Sequence, residues 1–229
     1  MLKFQQTENF MKKYLAIIKK CALFENVEDE NLIAILGCLG AKITQYKKNE
    51  TIMKEGTPAR QIGIVLTGEV QIVRNDYYGN RSIVTNVEPA QIFGESFACA
   101  GVKEMPVDVI ATTDTDVMMI DCYRITNSCC KACVFHSQII FNLMKVVAVK
   151  NLVFHQKIEI ISKRTTREKL MTYLLSQAKK NGSRSFYIPY DRQELADYLE
   201  VERSGLSAEI SKMRKEGIIE NKKNYFQLL

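Results

Sequence analysis

From Ser137 to Ile161 the chain reads SQIIFNLMKVVAVKNLVFHQKIEII, 25 residues without a glycine or a proline. Nothing in it interrupts helix propagation, and apolar side chains recur at Ile140, Leu143, Val147, Phe154, Ile158 and Ile161, the spacing of one helical face. The run predicts a single helix of roughly 37 Å at 1.5 Å rise per residue. Ile139, Met144, Val146, Leu152 and Val153 broaden the stripe, so the helix needs cover on two sides. One cover is its own domain. For the other a second copy of the chain is the economical candidate, with Ile140, Leu143, Val147, Phe154 and Ile158 on a two-fold seam. A fully buried helix of a monomer is the alternative.

The segment before it has another period. From about Lys42 to Asp121, Gly56, Gly68, Gly79 and Pro89 fall 12, 11 and 10 residues apart, and between them lie IGIVL, VQIV and SIVTNV, rich in β-branched side chains. No helical pattern fits between these runs, which argues for a sandwich, jelly roll or barrel over βαβ units. Residues 9–39 carry helical spacing at Phe10, Tyr14, Ile17 and Ile18, then at Leu32, Ile35, Leu36 and Leu39, and are expected to pack beside the sheets.

After the long run, TTREKLMTYLLSQAKKNG places Leu170, Tyr173, Leu174 and Ala178 on one face and stops at Asn181-Gly182. SFYIPY reads as a strand. Asp191 with Glu194 three residues on forms a helix-start pair for QELADYLE, and ERSGLSAEISKMRKEG aligns Leu206, Ile210 and Met213 before Gly217. Two short helices across a brief break, then IIENKKNYFQLL folding back at Asn-Lys-Lys-Asn, are the parts of a winged helix-turn-helix. Charge agrees: residues 163–229 hold 14 Lys and Arg against 9 Asp and Glu, whereas residues 1–162 hold 18 against 17. The basic excess therefore sits in the last 67 residues and suits a polyanion. Arg203 can fork onto a guanine edge, and Ser204 and Ser207 are short hydroxyls able to reach a phosphate or base. Arg192 and Gln193 open the preceding helix, where amides favour phosphate, and Lys212, Lys222 and Lys223 add attraction independent of sequence.

No apolar run approaches 18 residues, and MLKFQQTENFMKKYLAIIKKCALF lacks a small-residue cleavage site, so a cytoplasmic protein without membrane contact is expected. The seven cysteines (21, 38, 99, 122, 129, 130 and 133) then read as free thiols. Cys130 and Cys133 have CxxC spacing beside Cys129, but adjacent cysteines on a forming helix point apart, so no metal site is expected. With His136 and His155 the only histidines, no Ser/His/Asp arrangement can be assembled and no enzymatic activity is expected.

Four stretches, EGTPARQIGIVLTGEVQI, Phe93-Gly94-Glu95, the long helix and YDRQELADYLEVERSGLSAEISKMRKEGII, together resemble the CRP/FNR family of bacterial transcription regulators over essentially the whole chain. The resemblance implies an α+β architecture: an N-terminal antiparallel β-roll (jelly roll) for effector sensing over 1–136, a long dimerisation helix over 137–162, and a C-terminal winged helix-turn-helix DNA-binding domain over 163–229. It implies a homodimer on promoter DNA with two-fold related half-sites, RNA polymerase as a partner and an unidentified small-molecule effector. By position Arg203 resembles the family's guanine-reading arginine, and Arg192 and Gln193 its phosphate-contacting pair. The effector pocket falls to Gly94, Glu95, Ser96, Met105, Pro106 and His155. Cyclic-nucleotide binders of the family place an arginine and a small hydroxyl residue where this chain has Met105 and Pro106. A thioether and a proline cannot neutralise a phosphate, so neither cyclic AMP nor cyclic GMP is expected to bind. Glu95, aimed at a ribose in the family, is expected to be a loop-capping acceptor here. In the reading helix Ser204 and Ala208 stand where the family often has Glu and a basic residue, which thins direct readout. Iron–sulfur members group cysteines near the amino terminus, where this chain has only Cys21, so neither a cluster nor haem is expected and any other cofactor stays unknown. The remaining reading within the family is an effector-independent regulator, or one controlled by cysteine redox or metal chemistry.

Overall fold

The computed structural model describes residues 13–127 and 134–229, which fall into two compact units. The first holds residues up to Arg74 and Val84–Lys150, the second Asn75–Ile83 and Asn151–Leu229.

In the first unit a short helix α1 (Leu15–Ile18), a 3-10 turn (Ala22–Phe24) and α2 (Asp29–Cys38) lead into eight antiparallel strands: β1 (Lys42–Tyr46), β2 (Thr51–Met53), β3 (Gln61–Thr67), β4 (Val70–Asn75), β5 (Arg81–Val87), β6 (Ile92–Phe93), β7 (Asp108–Ala111) and β8 (Thr115–Asp121). They form two four-stranded sheets ordered β1-β8-β3-β6 and β2-β7-β4-β5. Helix α3 (Glu95–Cys99) follows β6, and α4 (Cys122–Thr126) follows β8. Period-two alternation decides what each face of the first sheet covers. Ile62, Ile64 and Leu66 of β3, with Met118 and Ile120 of β8, pack on Ile18, Leu32, Leu36 and the long helix; Val65, Val117 and Met119 pack on the other sheet. Covered on both sides, β3 is buried at five consecutive positions, which is why its sequence reads as a solid apolar run.

Two glycines make this packing possible. Gly63 pairs with Phe93, whose ring lies across it so closely that a Cβ would stand 2.0 Å from the ring. Gly68 turns β3 into β4 at φ 76°, with Thr115 Oγ1 2.4 Å from where a Cβ would be. Tyr14 donates from its hydroxyl to Asp116 at 2.7 Å, tying the amino-terminal segment to β8.

Helix α5 spans Val134–Ile161, about 42 Å at 1.5 Å per residue. Its inner face corrects the expected seam. Leu143 is 5% exposed and packs, with Ile140 and Val147, against the roll's own core. Asn142 donates to the carbonyls of Leu23 and Glu25 at 3.0 and 2.8 Å, and Lys145 pairs with Glu25. Phe154 is half-buried, and of the five expected seam residues only Ile158 is openly exposed. The uncovered apolar side chains of α5 are Phe141, Met144, Val149, Leu152, Val153 and Ile158, each 49–65% exposed. By length and composition Phe135–Ile161 is also long and apolar enough to cross a bilayer. Its other face, however, is committed to protein through Leu143, Asn142 and Lys145.

The second unit contains α6 (Thr166–Asn181), β9 (Ser185–Tyr187), α7 (Arg192–Leu199), α8 (Arg203–Lys215), β10 (Ile219–Lys222) and β11 (Tyr225–Leu228), the strands ordered β10-β11-β9. Thr165 with Glu168 and Asp191 with Glu194 close reciprocal caps at the starts of α6 and α7, and Gly182 ends α6 in the left-handed region. Leu170, Tyr173, Leu174, Leu195, Leu199, Leu206, Ile210, Met213, Ile219 and Phe226 are buried in it.

Candidate functional site

Helices α7 and α8 are joined by Glu200–Glu202, with Glu200 in the left-handed region at φ 53°. Leu206, Ile210 and Met213 bury one face of α8, so the 3.6-residue period turns Arg203, Ser204, Gly205, Ala208 and Lys212 to solvent. Ser207 is half-buried, and its carbonyl accepts from Ser211. The N-cap residue Glu202 makes no side-chain cap, which leaves first-turn amides of α8 open beside Arg203. Arg167 of α6 locks the other side of the helix by pairing with Glu209 and Glu216 at 3.4 and 2.5 Å.

The expected phosphate pair divides. Arg192 is half-buried and donates from Nη2 to Asn221 Oδ1 at 3.0 Å, so it ties α7 to the wing instead of standing free. Burial, then the positive charge of Arg203, holds its guanidinium pKa below the ordinary value, so the two cations face common ground that an anion would stabilise. Gln193 is exposed and donates to Asp197 at 2.8 Å. The wing turns at Lys223-Asn224, with Lys223 at φ 56°; Lys222 and Lys223 project outward, and Asn221 fixes the turn through the carbonyls of Lys223 and Tyr225.

Sequence reasoning missed the residues that hold α7 in place. Its carboxyl-terminal carbonyls are capped by two lysines: Lys157 Nζ donates to Tyr198 O, and Lys169 Nζ to Leu199 O and Glu200 O at 3.2 Å. Lys157 also donates to Ile83 O at 2.8 Å, lies 3.6 Å from the Tyr198 ring centroid and is 8% exposed. Burial pushes its pKa down to about 8, against the raising effect of Glu200. A lysine on a helix gives no local signal that it will end inside a helix C-cap.

In the first unit Gly94 adopts φ 79° and starts α3, and the next residue, Glu95, is 2% exposed. Its Oε1 accepts from Ser96 Oγ at 3.1 Å and pairs with Lys150 Nζ of α5 at 3.0 Å, while Oε2 has no hydrogen-bond partner among the described residues. Lys150 also donates to Ile92 O. Glu95 is thus the buried half of an ion pair with a half-buried lysine, a larger part than a loop cap. Met105 is 2% exposed in the inter-sheet core, its backbone bonded to Gly56 and Thr57, and Pro106 points outward. Of the expected pocket residues, Gly94, Glu95 and Ser96 are brought together; His155 is exposed on α5 in the second unit. A groove of about 420 Å³ runs along Thr51–Gln61. Cys129, Cys130 and Cys133 lie outside the described residues. Among the described residues no group of three or more His, Cys, Asp or Glu is placed to hold a metal ion, and His136 is spent on the Arg124 carbonyl at 3.2 Å.

A two-sheet roll with a buried glutamate after a Phe-Gly turn, continued by a helix into a winged helix-turn-helix, defines a DNA-binding regulator. Residues 43–126 match the cyclic nucleotide-binding domain and residues 168–229 the Crp-like helix-turn-helix domain. The transcriptional activator protein FnrL of Cereibacter sphaeroides is 22% identical over 183 residues, 76% of this chain and 71% of that one. The fold is that of FixK2 from Bradyrhizobium japonicum (TM-score 0.64, 22% identity, 82% of this chain and 92% of that one) and of CLP from Xanthomonas campestris (TM-score 0.72, 14% identity, 88% and 99%). The chain belongs to the CRP/FNR family of transcription regulators.

Proposed function

We propose that the chain acts as a homodimer on promoter DNA with two-fold related half-sites, in the cytoplasm and beside RNA polymerase. Arg203 and Ser204 of α8 read base edges, Ser207 and Gln193 reach the backbone, and Lys212, Lys222 and Lys223 neutralise phosphates. Arg192 contributes charge to the same face while its main bond goes to the wing. The observation that carries this reading is Arg203: an exposed guanidinium, without a bonded partner among the described residues, at the uncapped start of a helix whose opposite face is buried. The exposed apolar side of α5, from Phe141 to Ile158, is the surface for the second copy. Fluorescence anisotropy on duplex DNA tests the reading: affinity falls steeply as salt rises, and Arg203→Ala weakens binding to a preferred duplex more than to a random one.

The β-roll reads a small molecule other than cyclic AMP or cyclic GMP. Met105 is locked in the core and Pro106 faces out, so nothing at those positions holds a cyclic phosphate, whereas Glu95 Oε2 is a buried acceptor suited to a donor group. CLP is a c-di-GMP responsive regulator, which supports effector control in this fold. The Lys150–Glu95 pair favours a second reading, in which the long helix supplies its own cation to the pocket and activity needs no effector. Lys150→Met separates the two: it leaves ligand response intact in the first and alters DNA affinity without any ligand in the second.

A further inference from the structure

Cys99 closes α3 and Cys122 opens α4, and although 23 residues separate them their sulfurs stand 3.7 Å apart. Cys122 is 5% exposed, while Cys99 is open to solvent. Both lie in the first unit, and the pair is independent of any effector reading. A sulfur–sulfur bond is about 2.05 Å long, so closure needs an approach of under about 2 Å. The residues that follow Cys99, from Ala100 to Glu104, are all exposed, so the end of this five-residue helix can move without opening the core.

We propose that Cys99 and Cys122 are a dithiol that hydrogen peroxide converts to an intramolecular disulfide, with Cys99 oxidised first and Cys122 resolving it. The Cys99 thiol gives up its proton, its sulfur attacks one peroxide oxygen, the O–O bond breaks, and the departing hydroxide takes that proton to become water. Cys99 is left as a sulfenic acid. The Cys122 sulfur then attacks Cys99 Sγ, the S–O bond breaks, and the hydroxide leaves as a second water with the Cys122 proton. Two thiols are oxidised by two electrons in all, and the peroxide is reduced to water. Burial raises both thiol pKa values, which keeps the pair protonated and slow to react at rest; it is exposure that makes Cys99 the sulfur that meets peroxide first, with Cys122 beside it to resolve the sulfenic acid. The bond fastens α3, which begins at the Gly94-Glu95 turn, to the end of β8.

The test uses the reduced full chain treated with hydrogen peroxide, blocked with N-ethylmaleimide and mapped by mass spectrometry without reduction. The expected result is a peptide pair joined through Cys99 and Cys122, lighter by two hydrogens, that persists in Cys38→Ser and disappears in both Cys99→Ser and Cys99→Ala. Exposed Cys38 serves as the internal clock. Consumption of Cys38 while Cys122 stays a free thiol, Cys99 ending as sulfinic or sulfonic acid, or a disulfide joining either residue to another cysteine would overturn the proposal.

Discussion

Arg203 and Lys222 sit on one module and carry the same charge, yet they are expected to fail differently. A guanidinium forked onto a guanine edge discriminates one base pair, so Arg203→Ala should cost about 1–3 kcal/mol on a preferred duplex and far less on a random one. Lys222→Ala should weaken both duplexes alike and lower the slope of log affinity against log salt by about 1. Anisotropy titrations at several salt concentrations check both, and equal losses from Arg203→Ala on the two duplexes contradict its base-reading role. Lys157 gives a pH signature. Its folded pKa, about 8, lies below the unfolded value near 10.4, so between them the unfolded chain binds more protons and stability rises with pH. Burial has raised the pKa values of Cys21, Cys122 and Tyr198, which act in the opposite sense at alkaline pH, so the comparison needs a variant. From pH 8 to 9.5, wild type should gain on the order of 1–2 kcal/mol relative to Lys157→Met in urea unfolding; parallel curves contradict it. The outward side chains of α8 follow from helical period and were legible in the sequence. The bonds of Arg192 to Asn221, Lys150 to Glu95 and Lys157 to Tyr198 join residues 29 to 55 positions apart and leave no local pattern to read.

Elements repeat the distinction between local and distant causes. Caps, stops and alternation are local chemistry: Asp191 with Glu194, Gly182, and the short runs of β3 and β4 were visible before any fold was known. Asp191→Ala removes the acceptor of the Glu194 amide and should cost about 1 kcal/mol, read by thermal unfolding. The approach of Phe93 over Gly63 was invisible, because nothing near Gly63 in sequence says that a ring will cross it. Gly63→Ala must displace that ring and should cost about 1–3 kcal/mol; adding Phe93→Ala should recover part of the loss, since the clash and the ring are one interaction. Simple additivity of the two losses in chemical unfolding counts against it. Helix α5 shows where periodicity misleads. The run of apolar residues announces a helix that needs cover on more than one side; the more regular of its stripes, through Leu143, belongs to the roll, and the residues from Phe141 to Ile158 stand exposed.

At the scale of the whole molecule, reading and pairing are one account. Six apolar side chains stand 49–65% exposed along one helix, and the proposed second copy would cover them. Leu152→Asp, at the middle of that stripe and outside the core, should shift sedimentation from dimer to monomer and with it lower DNA affinity at least tenfold, because one reading helix then holds one half-site. An unchanged dimer would move the interface elsewhere. The most direct measurement is selection from a random duplex library by the full chain, followed by sequencing of what is retained. Two copies of Arg203 presented by paired long helices should enrich an inverted repeat whose half-sites are centred about 10 base pairs, one helical turn, apart. Enrichment of a single unrepeated motif, or of no motif at all, would contradict it.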